Sequence, residues 1–277
     1  MITLNEIDFA YKRHKPVLEE LSMELTAGHI YGLLGKNGEG KTTLLNIMSG
    51  QLFPQKGNCQ VLGAIPKERK VNFLQQLFVL PEEVVLPDVT AVEYGRMYAP
   101  FYPTFSQDIW NACIESFEVE MNKRISKMSL GQRKKVAISL ALAAHTPLLL
   151  MDEPTNGLDI PSKAVFRRLV ASCIEENQTV IISTHQVRDL ESLIDSVLIM
   201  ENRQILLNCP LDVIGRKLFF RLVSPEEPVL YSEPSPVGLM GVGVNSGGEE
   251  TPVSLELLFQ AVTQHPAEMK RIFTLKN

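Results

Sequence analysis

Apolar residues along this chain follow two rhythms. Through about residue 208, short β-branched and leucine-rich runs alternate with stretches whose apolar positions fall three and four apart, as in a sheet layered with helices. Residues 30–34 read as a buried strand and 41–49 as the helix that follows it. Residues 148–151 and 180–183 are further apolar runs of strand length, each ending in polar residues. Open α/β sheets place ligands at such strand ends. Residues 87–128 read as mostly helical, with Ser106 opening a segment in which Ile109, Trp110, Cys113, Ile114 and Phe117 recur at helical spacing. A helical subdomain over about 87–145 is expected. Residues 197–207 read as a hairpin turning at 201–203. Residues 224–252 are rich in Pro, Gly and Ser and keep neither rhythm, and a helical pattern resumes at 255–262. The expected organisation is an α/β core over 1–214 and a small accessory segment, 215–277, whose middle is loosely ordered. No internal repeat is visible.

Composition narrows the function classes. With 277 residues, 45% apolar and 21% charged, the chain has ordinary globular usage and enough length for a sizeable core. A net charge of −5 supplies no electrostatic attraction for nucleic acid or an anionic lipid face. Cys59, Cys113, Cys173 and Cys209 are far apart in sequence, without the paired spacing of zinc or redox motifs, so they are expected as thiols in a reducing compartment. The first residues include acidic side chains and no apolar core of a signal peptide. The longest greasy stretch, 136–151, is interrupted by Ser139, His145, Thr146 and Pro147 and falls short of the roughly 18 residues a spanning helix needs. A cytosolic protein is expected, able to dock on a membrane protein.

The chemistry sits at the strand ends. Gly35, Lys36, Asn37, Gly38, Glu39, Gly40, Lys41 and Thr42, with Thr43 after them, match G-x-x-x-x-G-K-[ST] between a buried strand and a helix. Glycines let successive amides turn inward around phosphate oxygens, and the helix adds the positive end of its dipole. Lys41 would reach the β- and γ-phosphates and Thr42 would ligate Mg²⁺. Asp152 leaves the end of the strand at 148–151, beside the loop if the two strands are neighbours, and its charge is costly to bury unless it faces a cation such as magnesium. Glu153 would polarise a water attacking the γ-phosphate, a role worth about 10²–10⁴ in rate. Asp159 is placed to cap the helix that Pro161 enters. His185 follows the strand at 180–184, where a lone histidine could be structural or functional. Ser129 and Gln132 form a capping box; read functionally, the Ser129 hydroxyl, the Gly131 amide and the helix dipole make a second phosphate cradle. Two cradles for one γ-phosphate point to two chains facing each other.

Taken in order, these motifs resemble the ATP-binding subunit of ABC transporters: Tyr11, the loop at 35–42, Ser-Leu-Gly-Gln at 129–132, the strand and carboxylates at 148–153, Asn-Gly-Leu-Asp at 156–159 and Ser-Thr-His at 183–185. The resemblance covers about three quarters of the chain. It implies a P-loop NTPase fold of the ABC type, ATP and Mg²⁺ as ligands, Tyr11 stacking on adenine, and a homodimer or heterodimer sandwiching two ATP molecules. It also implies Glu153 as base, His185 on the γ-phosphate, and a separate membrane permease, placing the chain peripherally on the inner face of the cell membrane. Two positions depart from the usual pattern. Leu130 stands where the family motif has its first glycine. Glu82 stands where many members have a glutamine near Mg²⁺ and the transporter; a carboxylate there can still ligate the metal, and the Pro-Glu-Glu context leans towards export. A soluble ABC ATPase of the DNA-repair or translation type and a nucleotide-gated regulator are the alternatives. Only 86 residues separate Thr42 from Ser129, too few for a long coiled coil.

Overall fold

The computed structural model describes residues 1–12, 15–248 and 250–274. The chain opens with β1 (Ile2–Lys12) and β2 (Lys15–Leu25), an antiparallel pair, then dives through β3 (Ile30–Leu34) into α1 (Lys41–Met48). It returns through β4 (Lys56–Val61) to the other edge of β1. A short α2 (Val71–Leu74) leads to β5 (Leu77–Leu80). Three helices follow, α3 (Ala91–Tyr98), α4 (Gln107–Ser116) and α5 (Leu130–Ala143), before the chain re-enters the sheet as β6 (Leu148–Asp152). After α6 (Ile160–Cys173) come β7 (Thr179–Thr184), β8 (Ser196–Glu201) and β9 (Gln204–Pro210). The central sheet has the order β5-β6-β7-β3-β8-β9, parallel except for β9.

The strand runs are apolar throughout because both faces of this sheet are covered, so successive side chains enter two different cores. Leu148 and Leu150 on β6, Ile181 on β7 and Leu198 and Met200 on β8 pack with α1 and the β1-β2-β4 sheet. Leu149 and Met151, Val180 and Ile182, and Val197 and Ile199 point the other way, onto α4, α5 and α6. The parallel strands therefore share one carboxyl edge, where the loop at 35–40 leaves β3, Asp152 ends β6 and His185 follows β7.

The hairpin expected at 197–207 is present, with Asn202 and Arg203 both in the left-handed region (φ +51° and +68°), as a two-residue turn between right-twisted strands requires. The condition set for Asp152, that its strand neighbour the loop's, is not met, because β7 lies between β6 and β3. One expectation is corrected: the Pro- and Gly-rich stretch is not loose. After α7 (Leu211–Lys217), residues form β10 (Leu218–Leu222), β11 (Tyr231–Ser235) and β12 (Gly238–Val244), an antiparallel sheet of order β10-β12-β11. Gly243 pairs with Phe219, whose ring lies 2.5 Å from where a Cβ would sit, and a Cβ on Gly241 would come within 2.7 Å of Val223. The glycines that hide the strand period are the ones that give neighbouring side chains room. Then α8 (Leu255–Gln264) and α9 (Pro266–Thr274) pack back, so that Leu218, Val242, Leu258 and Val262 join the core that holds Ile199 and Leu207.

Candidate nucleotide site

The carboxyl end of β3 feeds directly into the phosphate loop. Gly38 and Gly40 have φ of +87° and +108°, and a Cβ on Gly35 would press to 2.7 Å from the Met200 carbonyl oxygen, so neither the turn nor the close approach admits a side chain. The helix α1 starts at Lys41, and the amides of its first turn have no partner within the helix. The Lys41 side chain is buried and curls back over the loop. Its Nζ donates to the carbonyls of Gly35 (2.6 Å) and Lys36 (3.1 Å) and lies 3.9 Å from Glu153 Oε1. Burial pulls its ammonium below the ordinary lysine range, and Glu153 and Asp152 resist that. By contrast, the Lys36 side chain points away to Glu201 (2.6 Å), so only its backbone serves the loop. Tyr11 stands exposed on β1 with its hydroxyl 3.1 Å from Thr43 Oγ1, which places its ring beside the start of α1.

Although β7 separates the strands, Asp152 and the loop still meet. Asp152 is level with Ser183 on β7, and the Ser183 hydroxyl donates to one carboxylate oxygen. The other oxygen accepts from Thr42 Oγ1 at 2.6 Å. Glu153, the next residue, is a non-glycine in the left-handed region (φ +44°) and is 4% exposed. Such backbone costs about 1–3 kcal/mol and gathers at functional sites. The turn swings its carboxylate back against β7, where Thr184 Oγ1 donates to Oε2 (3.2 Å) and His185 Nδ1 meets Oε1 (2.8 Å). Lys41, Thr42, Glu82, Asp152 and Glu153 line one cavity of about 340 Å³ with Tyr11 at its rim. In that cavity the Glu82 carboxylate accepts from Asn156 Nδ2 (2.9 Å), and its backbone carbonyl accepts from Lys134 Nζ (2.7 Å).

Sequence reasoning left Lys134, Ser183 and Thr184 out of the site. Lys134 sits between Arg133 and Lys135, which reads as a solvated basic face, yet it is 3% exposed. Two hydroxyls closing an apolar strand were the available signal for Ser183 and Thr184.

The capping box expected at the start of α5 is present, outside the phosphate-loop cavity. Ser129 Oγ accepts from the Gln132 amide (3.2 Å) and Gln132 Oε1 from the Ser129 amide (3.0 Å), a complete capping box at the start of α5. Asp159 caps α6 by accepting from the Ser162 amide at 2.9 Å, and Pro161 stands in the first turn. None of Ser129, Gly131, Gln132 or Asp159 lines the phosphate-loop cavity. Leu130 and Ile160, beside them, are 66% and 84% exposed.

The donor set fits the expected ligands. Open backbone at Gly38 and Gly40, a buried ammonium and a free helix N-terminus suit a polyphosphate. The Thr42 hydroxyl and Asp152 carboxylate are hard oxygen donors, the kind magnesium takes together with phosphate oxygens.

Comparison with known proteins points the same way. The sequence pattern of the ABC transporter family matches residues 18–156. The bacitracin transport ATP-binding protein BcrA of Bacillus licheniformis is 30% identical over 241 residues, 84% of this chain and 78% of that protein. The ABC transporter ATP-binding protein NatA of Bacillus subtilis is 31% identical over 217 residues, 74% of this chain and 88% of that protein. Among solved structures, the ATP-binding subunit of an ABC transporter superposes with a TM-score of 0.70 at 24% identity, covering 78% of this chain and 92% of that one. The matched residues hold the phosphate loop, the start of α5 and both carboxylates, and the chain belongs to the ABC transporter family as an ATP-binding, ATP-hydrolysing subunit.

Proposed function

We propose that this chain hydrolyses ATP at the cavity between the phosphate loop and Glu153, as one half of a dimer, and that the cycle drives a separate membrane permease in the direction of export. The observation that carries the hydrolytic reading is the placement of Glu153. Its buried carboxylate is held by Thr184 and His185, 3.9 Å from Lys41, in the same cavity as the loop. In that position it can take the proton of a water aimed at the terminal phosphate. His185, 2.8 Å from it, fixes the carboxylate and stands ready to contact the phosphate. Lys41 and the α1 amides hold the β- and γ-phosphates, Tyr11 stacks on the base, and Thr42 and Asp152, with Glu82 near, hold Mg²⁺. The metal, when bound, neutralises charge developing on the transferring phosphoryl group.

The dimer follows from the α5 cradle. Ser129 and Gly131 do not line the cavity of their own phosphate loop, so they would serve the ATP of a second chain, identical or not, with Gln132 and Asp159 at the same seam. Coupling to a permease is supported by the exposed apolar residues between β5 and α4, Val85, Met97 and Phe101, and by the absence, among the described residues, of any helix long and apolar enough to cross a membrane. Export rests on the likeness to the bacitracin protein and on the Pro-Glu-Glu context of Glu82. On this reading residues 1–214 are the motor, with a helical part over about 87–145, 215–277 is an accessory segment, and the chain works at the inner face of the cell membrane.

Glu153→Gln tests the assignment. It keeps the side-chain shape, so ATP still binds, while turnover should fall at least about 100-fold and an ATP-bound dimer should accumulate on size-exclusion chromatography. Turnover near the wild-type rate would refute it.

A further inference from the structure

The accessory segment is fastened to the one turn on which His185 rides. Beyond Thr184 the chain leaves the sheet: the Gln186 amide folds back to Thr184 Oγ1 (2.9 Å), a single tight turn spans Val187–Asp189, and Leu190 re-enters the core. His185 itself is only part-buried, its side chain a third exposed, so core packing alone does not fix it. Its neighbour Gln186 is held by Lys163 on α6 (3.0 Å) and by Asn156 (3.3 Å), and two charged contacts to α8 hold the residues that follow. Arg188 donates through Nε and Nη2 to the two carboxylate oxygens of Glu256, at 2.8 and 3.0 Å. Three residues on, Glu191 Oε1 accepts from the Leu255 amide at 3.2 Å, at the N-terminal end of α8 where a negative charge is favoured. Glu233 on β11 adds a third carboxylate near Arg188. Between these anchors and the phosphate loop lies a cavity of about 570 Å³, with Lys36, Asn37 and His185 on one wall and Glu233, Glu256 and Phe259 on the other. Val187 lines the same cavity, so the part of the turn beyond Gln186 has room to swing and is held through Arg188 and Glu191.

We infer that Glu256 is a positioning residue for ATP hydrolysis: through Arg188 it sets where the His185 turn stands over Glu153, and this is what the accessory segment contributes to the motor. The inference rests on the hydrolytic role of Glu153 and His185 given above. An exposed ion pair adds little to stability, but a two-pronged arginine–carboxylate contact fixes geometry. Cutting it should leave the fold and the phosphate loop unchanged and let His185 drift from Glu153. The effect belongs in kcat and not in ATP affinity, because Lys41, Thr42 and the α1 amides are untouched.

The test compares wild type, Glu256→Gln, Arg188→Gln, the exchanged pair Arg188→Glu with Glu256→Arg, and His185→Ala, each measured for kcat, KM for ATP, binding of a fluorescent ATP analogue and melting temperature. Either single neutral variant should lower kcat about fivefold, a small share of the roughly 100-fold that misplacing a reacting group by an ångström can cost. KM, analogue binding and melting temperature should hold, and the exchanged pair should recover most of the rate. A His185→Ala protein without turnover beside a Glu256→Gln protein at the wild-type rate would overturn this inference alone. A loss that the exchanged pair fails to restore, accompanied by a lower melting temperature, would also overturn it, as a merely structural tie. A His185→Ala protein with normal turnover would remove the role proposed for His185 and this inference with it, while leaving Glu153 to be judged by Glu153→Gln.

Discussion

Gly131→Ala separates the stability of α5 from its use. Gly131 lies in the first turn of that helix, where alanine is ordinarily better than glycine by up to about 1 kcal/mol. Opposing this, the new Cβ would stand 3.2 Å from the Gly157 carbonyl oxygen. That contact is relieved by a shift of a few tenths of an ångström in an exposed loop, at the low end of the about 1–3 kcal/mol that overpacking costs. The two effects nearly cancel, so the melting temperature should hold within about 2 °C, given about 2–4 °C per kcal/mol in a chain of this size. The cradle, by contrast, should respond. A methyl group beside the first-turn amides blocks a phosphate from the Gly131 N–H, and a hydrogen bond to a charged group is worth about 1.5–3 kcal/mol. A dimer of identical chains has two such cradles, so ATP-driven dimerisation should weaken by at least about 100-fold, at about 1.4 kcal/mol per decade. The assay is sedimentation or size exclusion against concentration, in the Glu153→Gln background with ATP, alongside a thermal melt. A Gly131→Ala protein that dimerises as tightly as its parent would refute the second cradle. One that simply melts early would refute the local reading of Gly131.

Two further outcomes are expected. Lys134→Met keeps the side-chain length but removes the donor to the Glu82 carbonyl and a buried cation near Glu82, Asp152 and Glu153; relief of a charge whose burial already pulls its pKa down offsets part of this. A net loss of about 1–3 kcal/mol in urea unfolding is expected, and a variant as stable as wild type would show that Lys134 carries no net role. Among the thiols, burial pushes Cys59 up to about 12 and Cys209 up to about 11, whereas a hydrogen bond from Cys113 holds Cys173 well below the ordinary thiol range. The thiolate exists above the pKa, so iodoacetamide should label Cys173 first, at a rate nearly level from pH 7 to 9. A rate climbing about tenfold per pH unit there would mean an ordinary thiol.

Much of the motor was legible because its chemistry is tied to backbone form. A glycine loop after an apolar strand needs those residue types whatever surrounds it, and the strands at 148–152 and 179–184 announce themselves by being apolar on both faces. Strand order was not legible. The runs forming β3, β6 and β7 have the same character, and nothing local says that β7 is inserted between the others, yet Asp152 still reaches the loop through Thr42. The accessory sheet was missed for a different reason. Strand periodicity is read from side chains, and at Gly241 and Gly243 the periodic positions are vacated for Val223 and Phe219. Lys134 was missed because a lysine among basic neighbours on a helix reads as solvated until the chain folds Glu82 over it.

These contacts also give a reason for the proposed division of the site between chains. On its own side, the cavity gathers Lys41, Thr42, Asp152 and Glu153, each already bonded within the chain, so a terminal phosphate there gains cation, metal ligands and base but little to enclose it. The start of α5 has the complementary surplus, with first-turn amides that lack helical partners and a hydroxyl free to donate, next to Leu130 and Ile160, which are apolar and exposed. Bringing a second chain's α5 over the cavity would satisfy those donors with phosphate oxygens and bury both apolar side chains in one movement. Within one chain the capping box holds Ser129 and Gln132 outside the cavity of their own loop. On the proposed reading, closure would then depend on nucleotide and reopening on hydrolysis at Glu153. An element that holds the His185 turn, as α8 is inferred to do through Glu256, would act on the step that ends the closed state.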